Sequence, residues 1–273
     1  MDILSAPFLQ ELCLTADNMY RQGWDERNGG NISMLLPENE AAPYLAGKTP
    51  IRTLPLGFEA PALAGKLLLV TGTGKYFKNV LRDPETNLGL LRITEDGKSA
   101  ALLWGYRDGG CFTSEMPTHL MTHTVRLEKD VEHRVVTHCH PTHLLAMNHV
   151  FELSEAKLSR CLWQMYTESI MVFPEGVGVL PWMCCGTREI GEATAEKMRD
   201  YRIVVWALHG IYGTGRTLDE AFGLIETVEK AAEIYLLTAG LPQKNTITDA
   251  QLAEIAEYLR LDYRKDFLPE LNK

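Results

Sequence analysis

The sequence predicts an α/β fold: a single three-layer α/β/α domain over residues 1–273, built around a mixed, largely antiparallel sheet. Three observations lead there. The apolar runs at 66–72, 87–94 and 99–105 follow one another with little helical sequence between them, so neighbouring strands are expected to pair antiparallel. From residue 116 onward, helical and strand-like patterns alternate, which puts helices on both faces of the sheet. No repeat, low-complexity tract or linker breaks the chain, and 273 residues at 45% apolar composition can bury a full core.

Residues 4–22 read as a helix, because Phe8, Leu9, Leu12, Ala16 and Met19 fall close to one helical stripe. The stretch RNGGNISMLLP turns sharply and runs into a short strand. KLLLVTG (66–72), NLGLLRIT (87–94) and SAALLWG (99–105) are strand-like runs with turn residues between them. A helix over 116–129 leads to the strand HRVVTHC (133–139), and another helix begins near Pro141. SIMVFP (169–174) reads as a strand, followed by a helix at 187–200 and the strand RIVVWAL (202–208). GTGRT (213–217) is expected to be a loop into the next helix, which carries the capping-box signature Thr217-Leu-Asp-Glu220 and runs to about 238. A second box, Thr248-Asp-Ala-Gln251, starts a C-terminal helix.

A formal charge of −9 and a pI near 5.4 argue against a nucleic-acid binder or a basic membrane-surface protein. They leave room for an anionic small molecule, because backbone dipoles bind phosphate whatever the net charge. The opening MDILSAPFLQELCLTADNMYRQGW lacks a basic leader followed by an apolar core, and no apolar run approaches the roughly 20 residues of a membrane span. The 6 cysteines (13, 111, 139, 161, 184 and 185) form no CxxC pair and read as reduced thiols, so a cytoplasmic protein is expected.

Of the chain's 8 histidines, three crowd into RVVTHCHPTH, 134–143. Strand side chains alternate, so His138 and His140 point the same way while Cys139 points to the opposite face. RIVVWALHG brings His209 to the exit of a second apolar strand, with Gly210 expected to let the backbone turn away. Three neutral imidazoles from two strand ends make a metal site with a fourth position left for substrate or water. Zinc suits such donors best, and cobalt, manganese or iron(II) would also fit. His143, just after Pro141, reads as structural. His119 and His123, spaced i,i+4 on the predicted helix, form a competing pair whose one clear third partner is Glu115.

Glu115 stands at a helix start, where Thr113 or Ser114 is the expected cap and Pro117 suits the first turn. A carboxylate there either complements the helix dipole or serves as a general base beside a metal. The stretches NGGN (28–31), TGTGK (71–75) and TSE (113–115) offer closely spaced N–H groups and polar side chains that suit a phosphate monoester. Each also reads as an ordinary turn. None is a nucleotide motif, since TGTGK lacks the GxxxxGK[ST] spacing and no third glycine completes GxGxxG. No GxSxG elbow occurs, which argues against a nucleophilic hydrolase.

Taken in order, GWDERNGGN, VTGTGKYF, TSEMPTH, THCHPTH, VFPEGVGVLPW, ALHGIYGTG and TLDEAFGLIETVEKAA resemble the class II aldolase/adducin family from about residue 20 to about 235. The resemblance implies one Zn2+ per subunit on His138, His140 and His209, with Glu115 as the catalytic acid/base. It implies a phosphate pocket of Asn28, Gly30, Asn31, Thr73, Thr113 and Ser114, with threonine at 73 where a relative has serine. Glu168 matches a second acidic residue at the aldehyde end. The implied reaction is the reversible cleavage of L-rhamnulose 1-phosphate to dihydroxyacetone phosphate and L-lactaldehyde, by a homotetramer with active sites near subunit contacts. Alternatives are cleavage of fuculose 1-phosphate, 4-epimerisation of a pentulose phosphate, or a non-enzymatic interaction module of the adducin type. Residues 37–62 and the C-terminal tail carry no assigned role.

Overall fold

In the computed structural model, which describes residues 1–272, the nine strands are β1 (Asn31–Leu36), β2 (Arg52–Pro55), β3 (Leu67–Thr71), β4 (Leu88–Ile93), β5 (Ser99–Gly105), β6 (Val135–Cys139), β7 (Gly178–Leu180), β8 (Ile203–Trp206) and β9 (Gly210–Gly215). They form one sheet in the order β2-β5-β4-β3-β1-β6-β9-β8-β7. Every pairing is antiparallel except β7 with β8, which is parallel. The sheet is therefore mixed and largely antiparallel, as predicted, and its two edges are the four-residue β2 and the three-residue β7.

The eleven α-helices among the described residues are α1 (Pro7–Arg21), α2 (Glu38–Leu45), α3 (Phe77–Val80), α4 (Pro84–Asn87), α5 (Met116–Lys129), α6 (Thr142–Val150), α7 (Glu155–Met165), α8 (Glu168–Val172), α9 (Arg188–Lys197), α10 (Leu218–Thr238) and α11 (Asp249–Tyr258). Strand alternation divides the core between them. Ile32, Met34, Leu36, Leu67, Leu69, Leu88 and Leu90 join Leu9, Leu12 and Met19 of α1 in one cluster. The intervening Leu35, Leu68, Val70, Leu91 and Ile93 join Met116 and Leu120 of α5 in another. β1, β3, β4 and β5 thus feed both apolar layers, the physical content of a three-layer sandwich. Among the described residues no helix is long and apolar enough to cross a membrane.

Two expected elements differ. SIMVFP is not a strand: Glu168–Val172 is the short helix α8, and the Phe173 N–H donates to the Ser169 carbonyl at 3.1 Å, an i→i−4 bond. A short apolar run does not by itself distinguish a buried helix from a buried strand, and the strand comes later, as β7. GTGRT is not wholly a loop, because Gly213, Thr214 and Gly215 belong to β9. Gly213 pairs with Thr137 on one side and Ile203 on the other, so tertiary pairing overrides the poor strand propensity of glycine. At α10 the expected box is half formed. The Thr217 hydroxyl accepts from Glu220 N–H at 3.0 Å, while the Glu220 carboxylate accepts from Arg216 N–H at 2.8 Å. The box at Thr248 and Gln251 is complete.

Candidate metal centre

β6 runs through the middle of the sheet between β1 and β9, and all five of its residues are buried. Alternation sends Cys139 into the α1-side core and leaves His138, fully buried, facing the other way. His140 lies one residue past the strand, its N–H donating to the Trp24 carbonyl at 2.8 Å. His209 ends the three-residue turn Ala207–His209 that joins β8 to β9, closed by the Trp206–Gly210 pair. The turn is not made by Gly210, as the sequence suggested. Leu208 takes the left-handed backbone (φ 60), and its N–H is held by Asn148 Oδ1 at 3.1 Å. Gly210 matters for a different reason: a Cβ there would lie 2.5 Å from the Cys139 carbonyl oxygen, 2.8 Å from His140 Cδ2 and 2.9 Å from His138 Cε1. Only glycine lets β9 pass this close to the two rings.

The three histidines offer ring nitrogens that all lie within 4.8 Å of one another. His138 Nδ1 donates to the Ile211 carbonyl at 3.0 Å, and His140 Nδ1 donates to Glu26 Oε1 at 2.7 Å. Each ring therefore carries its proton on Nδ1, and its Nε2 is a bare lone pair. The two bare Nε2 atoms sit 3.2 Å apart with no hydrogen to share. Two acceptors facing each other at that distance suit a cation between them, and an outer hydrogen bond on each Nδ1 is the usual support of a metal-binding histidine. Burial pushes His138 well below the ordinary histidine pKa, with His140 and His209 adding to the effect. Burial also lowers His209. Neutral rings are the ligating form. Gly29 completes the support, since a Cβ there would stand 2.7 Å from His140 Nδ1 and 3.0 Å from Glu26 Oε1.

Glu115 is the N-cap residue of α5, and it is 7% exposed. No side-chain hydroxyl caps the helix itself. Instead Thr113 Oγ1 accepts from the Glu115 N–H at 3.3 Å, fixing the capping residue. Oε2 of Glu115 accepts from Asn31 Nδ2 at 2.9 Å and from the Tyr212 hydroxyl, and it lies 3.8 Å from His138 Nε2. Tyr212 is fully buried, stacked on His138 with centroids 4.4 Å apart and planes at 16°, and burial followed by the Glu115 charge holds its phenol well above its usual pKa. Glu115, His209 and the exposed Cys185 also bring donor atoms within 4.8 Å of one another.

His119 and His123 do not form a second ligand set with Glu115. Ser33 Oγ stands 2.7 Å from His119 Nδ1 and 2.8 Å from His123 Nε2, while the other ring nitrogens meet Asn31 and His133. His143 is structural, since its N–H and Nδ1 both meet Glu229 of α10, at 2.9 and 2.8 Å.

The three glycine- and hydroxyl-rich stretches converge at the same end of the sheet. Asn31 pairs with His138 across β1 and β6, and the Ile32 N–H donates to Thr71 Oγ1 at 3.1 Å. Gly72 bridges Phe112, with the Thr73 N–H bonded to the Cys111 carbonyl at 2.8 Å and the Thr113 N–H to the Thr71 carbonyl at 3.0 Å. Asn28, Thr73 and Ser114 are exposed there, while Gly30, Asn31 and Thr113 are buried. Glu168, exposed at the first position of α8, makes no ion pair or hydrogen bond to these residues among the described contacts. Sequence reasoning did not single out Glu26, Asn148, Cys185 or Tyr212. Glu26 lies inside the GWDERNGGN motif, whereas only the β6–β9 register, which pairs Tyr212 with His138, reveals the tyrosine.

Residues 10–236 match the family described as Class II Aldolase and Adducin N-terminal domain. A protein of Listeria monocytogenes serovar 1/2a named rhamnulose-1-phosphate aldolase is 55% identical over 270 residues, covering 98% of each chain. One of the same name from Enterococcus faecalis is 52% identical over 99% of this chain and 97% of its own. Among solved structures, a sugar-phosphate aldolase from Thermotoga maritima superposes with a TM-score of 0.75 at 31% identity, over 87% of this chain and 97% of that one. An L-fuculose 1-phosphate aldolase shares the fold with a TM-score of 0.61 at 19% identity, over 94% of this chain and 98% of that one.

Proposed function

The chain belongs to the class II aldolase and adducin family and is an aldolase, a lyase of a sugar phosphate; from that premise we propose that it reversibly cleaves L-rhamnulose 1-phosphate to dihydroxyacetone phosphate and L-lactaldehyde. The supporting observation is the adjacency of two bare histidine nitrogens and a buried carboxylate at one sheet end, beside three loops rich in N–H and hydroxyl groups. The names of the relatives at 52–55% identity favour rhamnulose 1-phosphate over fuculose 1-phosphate or a pentulose phosphate.

His138, His140 and His209 hold zinc in this reading. Bound there, zinc supplies Lewis-acid stabilisation for negative charge gathering on the carbonyl and neighbouring hydroxyl oxygens of the substrate. Asn28, Gly30, Asn31, Thr73, Thr113 and Ser114 receive the phosphate, which anchors the three-carbon end and restricts its orientation. Asn31 has one amide hydrogen committed to Glu115 and a second left for this purpose. Glu115 handles the proton. When the C3–C4 bond breaks, the C4 hydroxyl gives its proton to a base at the aldehyde end and becomes the aldehyde carbonyl, the electron pair of the broken bond stays on the three-carbon fragment as an enediolate, and Glu115 returns a proton to the hydroxymethyl carbon. In synthesis it removes that proton. Glu168 serves the aldehyde end. The catalytic unit is a single domain over residues 1–273 in a cytoplasmic homotetramer.

A substrate panel tests the reading. Dihydroxyacetone phosphate, detected with a coupled dehydrogenase, should appear fastest from L-rhamnulose 1-phosphate, slower from L-fuculose 1-phosphate, and not at all from L-ribulose 5-phosphate. Glu115→Gln should keep its metal and lose about 10²–10⁴ of the turnover, the usual worth of a positioned acid/base. Full activity in that variant would remove Glu115 from the role.

A further inference from the structure

Behind Glu115 and Asn31 runs a line of buried polar groups that the proposed chemistry does not use: His119, Ser33, His123 and His133. Ser33, His119 and His123 are completely buried, and His133 is 3% exposed. With a carboxylate at the end of the line, which only accepts, one order of donors is possible. Asn31 must turn its NH2 to Glu115, so its Oδ1 faces His119 Nε2, which must carry the hydrogen. His119 Nδ1 is then bare and accepts from the Ser33 hydroxyl. Ser33 Oγ, having donated, accepts from His123 Nε2–H, whose bare Nδ1 accepts from His133 Nε2–H at 2.9 Å. Every hydrogen points toward Glu115, and each ring is needed in one neutral tautomer.

We propose that His119, locked in its Nε2–H form by Ser33 and His123, is a positioning residue that fixes the orientation of the Asn31 amide and through it the Glu115 carboxylate. The proposal rests on the reading of Glu115 as the acid/base. Two donors converge on Oε2, one from Asn31 and one from Tyr212. The tyrosine comes from a rigid strand, whereas an amide side chain is free to flip, and a flipped Asn31 would turn an oxygen lone pair on the carboxylate. His119 prevents the flip. Burial keeps the rings neutral, holding His119 down to about 4 and His133 down to about 3, with His123 also well below its ordinary value.

The test measures exchange of the hydroxymethyl proton of dihydroxyacetone phosphate with solvent, a half-reaction that needs Glu115 but no aldehyde. His119→Leu should cut the maximal exchange rate about 10- to 100-fold, leave KM for dihydroxyacetone phosphate within about 2-fold, and leave metal content unchanged. His119→Gln, whose Nε2 can donate to Asn31 as the imidazole does, should recover the rate to within about 3-fold of the unaltered enzyme. A leucine variant at full rate, or leucine and glutamine variants impaired alike, would overturn the proposal. If the leucine variant does not fold, long-range 1H–15N correlation on unaltered protein labelled at histidine decides: Nε2–H on His119 and His123 supports it, and Nδ1–H on His119 overturns it. Glu115→Gln separates the two levels. Exchange surviving in that variant defeats the reading of Glu115 itself, whereas exchange lost there but retained in His119→Leu defeats only the role of His119.

Discussion

Gly210→Ala adds one methyl group at the tightest point beside the rings proposed to hold the metal. The new carbon would sit 2.5 Å from a β6 carbonyl oxygen and 2.8 and 2.9 Å from carbons of His140 and His138. Comfortable separation is about 3.5–4.0 Å, so β9 must retreat from β6, or the rings must tilt, by roughly 1 Å. None of the three atoms is the free end of a flexible side chain. Overpacking of this kind costs about 1–3 kcal/mol of stability. Ring displacement should cost at least what a lost outer partner does, about 10- to 100-fold in metal affinity, or roughly 1.4–2.7 kcal/mol. Competition of apoprotein with a chromophoric chelator measures the affinity, and urea denaturation measures the stability. Gly223→Ala is the control: the same methyl group goes onto α10 with nothing within 4 Å of it, and it should be neutral or stabilising by up to about 1 kcal/mol. A Gly210→Ala protein that matches the control in both measurements would show that the close approach of β9 to the rings does not shape the site.

Glu26→Gln keeps the size of the His140 partner but weakens its charge-assisted bond, so metal affinity should fall about 10-fold with little change in the urea midpoint; unchanged affinity would remove Glu26 from the site. Chelation should abolish turnover and zinc should restore it, while borohydride with substrate should leave the enzyme active, because imine chemistry is not involved; covalent inactivation by borohydride would sink the metal reading. Stability should fall on acidification. The buried His119 and His133 stay neutral down to about 4 and about 3, whereas in the unfolded chain they gain protons below about 6.5. Their contribution is therefore intact above pH 6.5 and is lost toward pH 4, at up to about 1.4 kcal/mol per pH unit for each ring. Urea midpoints from pH 7.5 to 5 should show the decline, and His119→Gln should flatten it; a level profile would contradict the burial of these rings as neutral groups.

Elements with a strong local period were legible in the sequence. The stripe of α1, the runs of β3, β4 and β5 and the cap at Thr248 all declare themselves within a few residues. β2, β7 and the glycine-rich β9 do not, because they are short or weak and exist through their partners. At the candidate site the histidines stood out by type and spacing, and their convergence follows from the pairing of β6 with β9. What lay hidden was long-range register. The Tyr212 bond to Glu115 spans 97 residues and the Asn31 bond 84, separations at which no local pattern carries information. The choice between His119–His123 as ligands and as hydrogen-bonding groups likewise turned on Ser33, from a strand 86 residues away.

The two outermost strands offer little for another chain to extend. β2 is four residues long and ends in Pro55, which has no N–H to donate, while β7 is three residues long and is followed at once by Pro181. Strand addition at either rim would gain only a few backbone bonds. Any contact between two copies of this chain would therefore have to rest on surfaces other than these rims, and the same brevity guards a nine-stranded sheet against growing into a fibre.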